Sequence, residues 1–140
     1  MTNDVSILRL YVLRLLYLML FVLLGKDVWP VLIHPAAPLP RLEGVAYSFW
    51  AALSLIGILG LRYPLRMLPV LVLQFLYKVI WILAVALPFR RQGLSSGPLS
   101  GLEFAMYSGA LIDVIVIPWP YVIASYIVRP GDPWRSRVKS

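Results

Sequence analysis

The sequence predicts an all-α integral membrane protein, folded as an antiparallel four-helix transmembrane bundle with short loops. Its composition is 61% hydrophobic and 14% charged, and the mean hydropathy is +0.83, far from the composition of a soluble domain. The chain also contains successive apolar runs of about 20 residues, the length that an α-helix needs to cross a bilayer. With 140 residues, the chain has room for one domain.

Four apolar runs are predicted to span the bilayer, and polar or proline-rich segments separate them. The first run is expected to remain uncleaved, because Arg9 and Arg14 lie inside it and no small-residue cleavage site follows it. Four prolines in residues 25–43 predict a non-helical connector. The predicted transmembrane domain is 1–128, with spans at about 5–24, 44–61, 67–87 and 102–120. After Pro118 the fourth helix either kinks and runs on to 128, or ends, with residues 121–128 along the membrane interface.

The distribution of basic residues predicts the orientation of the bundle. Eight arginines and lysines fall on the side of the two termini and four on the other side. Because cytoplasmic loops carry the excess of positive charge, both termini are expected in the cytoplasm, with residues 129–140 as a basic tail. We expect the protein in the inner or plasma membrane of a bacterium.

A polar centre is predicted inside the bundle. Lys78 lies in the middle of the third run, where an unpaired ammonium costs at least about 2.5–3.5 kcal/mol. Asp113, central in the fourth run, is the expected partner. Arg14 lies at a similar depth in the first run, so three charges are expected near one level of the membrane.

Neighbouring residues could extend this centre. Gln74 lies one helical turn before Lys78, and the hydroxyls of Tyr17, Tyr77 and Tyr107 could contribute. In one interpretation Lys78 and Asp113 form a structural ion pair and Arg14 reaches the headgroups. In the other, Arg14, Lys78 and Asp113 line a polar cavity for a proton, an ion, or an anionic or quinone-like ligand.

Other chemistry finds little support in the sequence. There is no cysteine and one histidine, His34, so no metal site, cofactor or nucleophile-and-base pair is expected. Glu103, at the head of the fourth run, is interpreted as a charge that stabilises a helix N-terminus. The net charge of +7 is explained by flanking basic residues, and no nucleic-acid recognition module is present.

The tail predicts contact with anionic lipids at the cytoplasmic face, although ordinary positive flanking charge explains the same residues. The residues concerned are Arg129, Arg135, Arg137 and Lys139.

The first functional hypothesis is a small accessory or assembly subunit of a larger membrane complex, or a homo-oligomer. The alternative is a small carrier or ligand-binding membrane protein that uses the cavity of Arg14, Lys78 and Asp113. An enzyme comes third among the hypotheses.

Overall fold

The computed structural model describes residues 5–94 and 99–131, and all regular structure in these residues is helical. The all-α class is therefore confirmed. Five helices occur in the described part of the chain: α1 Ile7–Ile33, α2 Arg41–Arg62, α3 Leu68–Arg91, α4 Gly101–Val116 and α5 Trp119–Val128.

Three of these helices are long and apolar enough to cross a membrane. Helices α1, α2 and α3 have 27, 22 and 24 residues, with mean hydropathies of 2.2, 1.8 and 2.3 over their most apolar stretches. Helices α4 and α5 pass the same test together, although the chain bends by 72° between them. The described residues thus contain three such helices, or four if the bent pair forms one span.

Helix α1 is longer than expected, because residues 25–33 of the predicted connector are helical. The helix passes through Pro30 and ends at Ile33, where His34 leaves the helical conformation. Pro30 lies only three residues before this end, so its missing N–H disturbs the last turns and not the middle of a helix. A π-helical turn, Leu20–Leu24, joins the two α-helical parts.

Helix α3 also extends beyond residue 87, where the predicted third span ends. It continues through Pro88 to Arg91, and the π-helical turn Ile82–Ala86 comes immediately before. Gly93, with φ of 70°, then ends the helix. The N–H of Leu94 donates to the carbonyl of Phe89 at 3.1 Å, the pattern of a Schellman motif with glycine in the left-handed position.

The contacts show that neighbouring helices run antiparallel. Early residues of α1 meet late residues of α2, and early residues of α3 meet late residues of α4. The contacts that establish this are Arg14 with Leu61, Tyr17 with Pro64, Trp29 with Ser54, Phe75 with Trp119, Lys78 with Asp113, and Arg90 with Glu103.

One end of the bundle is closed by a hydrophobic cluster, which we call the closed end. Tyr17 is fully buried there, and its hydroxyl donates to the carbonyl of Pro64 at 3.0 Å. Its ring lies against Gly60, where any Cβ would overlap it. The buried members of the cluster are Leu13, Leu16, Tyr17, Leu68, Leu71, Ile117 and Val122.

Candidate functional site

The expected pair of Lys78 and Asp113 is present between α3 and α4. The ammonium Nζ lies 2.9 Å from Oδ2 of Asp113. Asp113 is fully buried and Lys78 is 7% exposed. The two charges therefore meet in the interior of the bundle, where each would be costly without the other.

Gln74 is the third member of this polar centre. Its Nε2 donates to Oδ1 and Oδ2 of Asp113 at 3.1 and 3.3 Å. Because an ionised carboxylate can only accept, the amide nitrogen must face Asp113 and the amide oxygen must face away. That oxygen, Oε1, is buried and has no hydrogen-bond partner among the described residues.

Gly109 gives Lys78 the room to reach Asp113. A Cβ at this glycine would lie 2.6 Å from Nζ of Lys78, closer than non-bonded atoms approach, and in a tight contact of 3.1 Å with Cε. Gly109 is one helical turn before Asp113, so the groove that admits the lysine lies on the same face as the carboxylate. The spacing of Ala105, Gly109 and Asp113 is the sequence signal for this close approach.

Arg14 does not belong to the polar centre, contrary to expectation. Its Nε donates to the carbonyl of Leu61 at 3.2 Å, at the last turn of α2. Arg9 acts similarly on α4, donating to the carbonyls of Ile115, Val116 and Ile117 at 3.2–3.4 Å. Both guanidinium groups thus complement the negative end of an antiparallel helix. No signal in the sequence distinguished these roles from a role in the centre.

Of the three predicted tyrosines, Tyr77 lines the cavity next to the polar centre, three residues after Gln74 on the same face of α3. Tyr17 packs in the closed end, and Tyr107 is partly buried and does not line the cavity. Trp50 of α2 also lines the cavity, and no signal in the sequence identified this residue.

A cavity of about 590 Å³ lies beside the polar centre, a volume typical of small-molecule sites. Its lining comes from residues 16–28 of α1, 101–113 of α4 and shorter stretches of α2 and α3. Apolar side chains form most of the walls, with Gln74, Lys78 and Asp113 in one wall. Leu23 and Phe104 are 46% and 63% exposed, so the cavity is open between α1 and α4.

The charged residues that line the cavity form two ion pairs, each of a lysine and an aspartate. One is the buried pair of Lys78 and Asp113, and the other is Lys26 with Asp27, whose Nζ and Oδ1 are 3.1 Å apart at the surface. The lining therefore carries no net formal charge. Arg14, which was expected as a third charge at this level, does not line the cavity.

The remaining candidate residues have local roles. Glu103 completes a capping box with Ser100 at the start of α4 and pairs with Arg90 at 3.3 Å, which confirms its interpretation as a helix N-terminal charge. His34 is exposed at the end of α1. No group of three or more potential metal ligands occurs in residues 5–94 and 99–131. Arg129 is exposed after α5, whereas Arg135, Arg137 and Lys139 lie outside the described residues.

Comparison with known protein families, curated proteins and solved structures finds no match for this chain.

Proposed function

We propose that the protein is a four-span integral membrane protein that binds a small lipophilic ligand in the cavity between α1 and α4. The observation that carries this proposal is the cavity of about 590 Å³, with apolar walls and the buried centre of Gln74, Lys78 and Asp113. Ligand sites commonly combine apolar walls with a few polar groups that orient the ligand.

The exposure of the apolar side chains supports the membrane location. Only 22–28% of the residues in the most apolar stretches of α1, α2 and α3 are buried inside the bundle. Large apolar side chains such as Ile80, Leu111 and Ile115 are more than 60% exposed. Soluble monomers rarely expose extended apolar surface, whereas lipid would cover it.

The bend after α4 supports a particular placement of the last helix. Helix α4 has 16 residues, about 24 Å at 1.5 Å per residue, which is shorter than the bilayer core of about 30 Å by a mismatch that local thinning of the bilayer can accommodate. Helix α5 turns away by 72°, and the hydroxyl of Tyr126 donates to the carbonyl of Leu65 at 3.0 Å. In the proposed arrangement α4 crosses the bilayer and α5 lies along its cytoplasmic surface.

The proposed topology is tested with reporter fusions. Arg9, Arg14, Arg62 and Arg66 lie at the closed end, so the positive-inside rule places that end in the cytoplasm. Fusions after residues 64 and 140 should therefore report a cytoplasmic position, and fusions near residues 36 and 95 an external one. A cytoplasmic signal at residue 95 would contradict the four-span arrangement.

A functional role for the polar centre is supported by the small contribution that such pairs make to stability. Replacing a buried ion pair by apolar residues of similar volume is often neutral or stabilising. Ionisable groups inside a membrane span accordingly suggest a functional site by default. Here the pair also borders an open cavity, which a purely structural pair would not require.

Filling the cavity tests the ligand-binding proposal. Ala105 lines the cavity, whereas Ala52 is exposed on α2 outside it. Ala105→Trp should exclude the ligand, and Ala52→Trp adds the same ring to an outer face and serves as the matched control. Mass spectrometry of protein purified in mild detergent should find a small lipophilic molecule with the wild type and the control, and much less with Ala105→Trp. Equal amounts in all three would contradict the proposal.

The accessory-subunit hypothesis stays a prediction. No observation in the described residues points to a particular partner chain, and lipid accounts for the exposed apolar faces. The masses of complexes in the same purification would reveal a stoichiometric partner or a homo-oligomer.

A further inference from the structure

We propose that the ligand is an uncharged amphiphile whose polar head carries a hydroxyl group, such as a long-chain or isoprenoid alcohol. This inference rests on the proposed ligand-binding function and specifies the class of ligand. It follows from the charge of the lining, the unused hydrogen-bonding groups of the polar centre, and the apolar walls.

The balance of charges favours a neutral ligand. Lys78 is already paired with Asp113, and Lys26 with Asp27. Arg14, which would have attracted an anion, donates to Leu61 at the last turn of α2 and does not line the cavity. A charged head would therefore enter a largely apolar site with no free counter-charge, and burying an unpaired charge is costly.

The unused hydrogen-bonding groups favour a hydroxyl. Oε1 of Gln74 is a buried acceptor without a partner in the described part of the chain. The ammonium of Lys78 has three N–H groups, and one of them donates to Asp113. A head that donates to Gln74 and accepts from Lys78 would satisfy both, and a hydroxyl does this with one atom. An ether or ketone oxygen can only accept.

The walls favour a long apolar body. Leucines of α1 and apolar residues of α4 form the lining on either side of the opening, among them Leu20, Leu23, Phe104 and Ile112. Because the opening lies between two apolar helices, a ligand can enter from the hydrocarbon region without crossing water. The head would then reach the polar centre while the tail lies between the helices.

The test compares four photoreactive probes that share one long alkyl chain with a diazirine. Their heads are a hydroxyl, its methyl ether, a sulfonate and a quaternary ammonium. Each is added to the full-length protein in zwitterionic lipid nanodiscs, and labelling of residues 16–28 and 101–113 is measured by mass spectrometry. Labelling of the outward face of α3, at Ile80 and Leu83, corrects for the amount of probe in the bilayer.

We expect the alcohol to label the cavity about tenfold more than its methyl ether. Tenfold corresponds to about 1.4 kcal/mol, which is within the cost of leaving a buried acceptor unsatisfied. Gln74→Leu should remove this preference, and Gln92→Leu, outside the cavity, should retain it. Stronger labelling by the sulfonate or the ammonium, or equal labelling by alcohol and ether in the wild type, would overturn the inference while ligand binding stands. If no probe labels the cavity above the outward face, the proposed function itself fails.

The wild-type comparison keeps the test decisive if Gln74→Leu does not fold. The preference for alcohol over ether is measured on the unmodified chain, and its absence there is sufficient to reject the hydroxyl.

Discussion

Two glycines make room for a large side chain from a neighbouring helix, and the two contacts have different roles. At the closed end, Gly60 of α2 lies against the ring of Tyr17 from α1. Beside the cavity, Gly109 of α4 lies against the ammonium of Lys78 from α3. In both places the missing Cβ allows two antiparallel helices to approach closely.

The difference lies in what surrounds the admitted side chain. Tyr17 is enclosed by leucines and held by Pro64, so its rigid ring fills the space completely. Lys78 is a flexible chain that ends at an ion pair and an open cavity. Close helix approach therefore produces a packed core at the closed end and a positioned charge beside the cavity.

The largest expected effect comes from breaking the ion pair. Asp113→Asn or Lys78→Met should each lower the free energy of unfolding by about 3–5 kcal/mol, because the remaining charge is stranded in the interior. The double variant should recover most of this loss, giving a large coupling energy in a double-mutant cycle measured by denaturation in detergent micelles. Additive single costs would show that the two residues do not stabilise each other.

The exposed pair of Lys26 and Asp27 provides the control for this cycle. Their side chains are 62% and 68% exposed, so Asp27→Asn should change the free energy of unfolding by less than about 1 kcal/mol.

A smaller loss is expected from filling the space at the closed end. Gly60→Ala places a methyl group inside the ring of Tyr17, and overpacking of this kind costs about 1–3 kcal/mol. Gly44→Ala is the matched control, since no atom of the surrounding structure lies within 4 Å of its added Cβ. The control should be stabilising by about 0.5–1 kcal/mol through helix propensity. Equal stabilities for the two variants would refute the packing role of Gly60.

The smallest effect on stability is expected at Gly109. In Gly109→Ala the nearest atom, Nζ of Lys78, is the end of a flexible side chain and can shift while it stays paired with Asp113. The gain in helix propensity should offset part of the cost, so the net change should stay below about 1 kcal/mol. Labelling of the cavity by the alcohol probe should nevertheless fall, because the ammonium is displaced. A stability loss as large as that of Gly60→Ala would remove the distinction between the two sites.

The polar centre was predictable because its signals are local to each helix. A lone lysine and a lone aspartate in the middle of apolar runs have few other partners, and Gln74 lies one turn from Lys78. The position of Arg14 was not predictable in this way. Depth in the membrane was estimated from residue number, whereas the direction of the side chain depends on which face of α1 packs inward, and Leu13 and Tyr17 occupy that face.

The helix ends were predicted less well than the helices themselves. Pro69 lies in the first turn of α3, where its missing N–H is tolerated. Pro30 and Pro88 were expected outside helices, yet both lie within them, each preceded in its helix by a π-helical turn. A π-helical turn changes the backbone hydrogen bonding but, unlike proline, has no clear signature in the sequence. The prolines taken alone therefore predicted helix ends that the structure does not have.

The pairing of Lys78 with a residue 35 positions later also has a consequence for biosynthesis. At about 5–20 residues per second, the lysine is translated roughly 2–7 s before its aspartate. During that interval the third helix carries a cation whose counter-charge does not yet exist. In the proposed arrangement, stable insertion of α3 therefore waits for α4, and the two helices enter the bilayer as one hairpin.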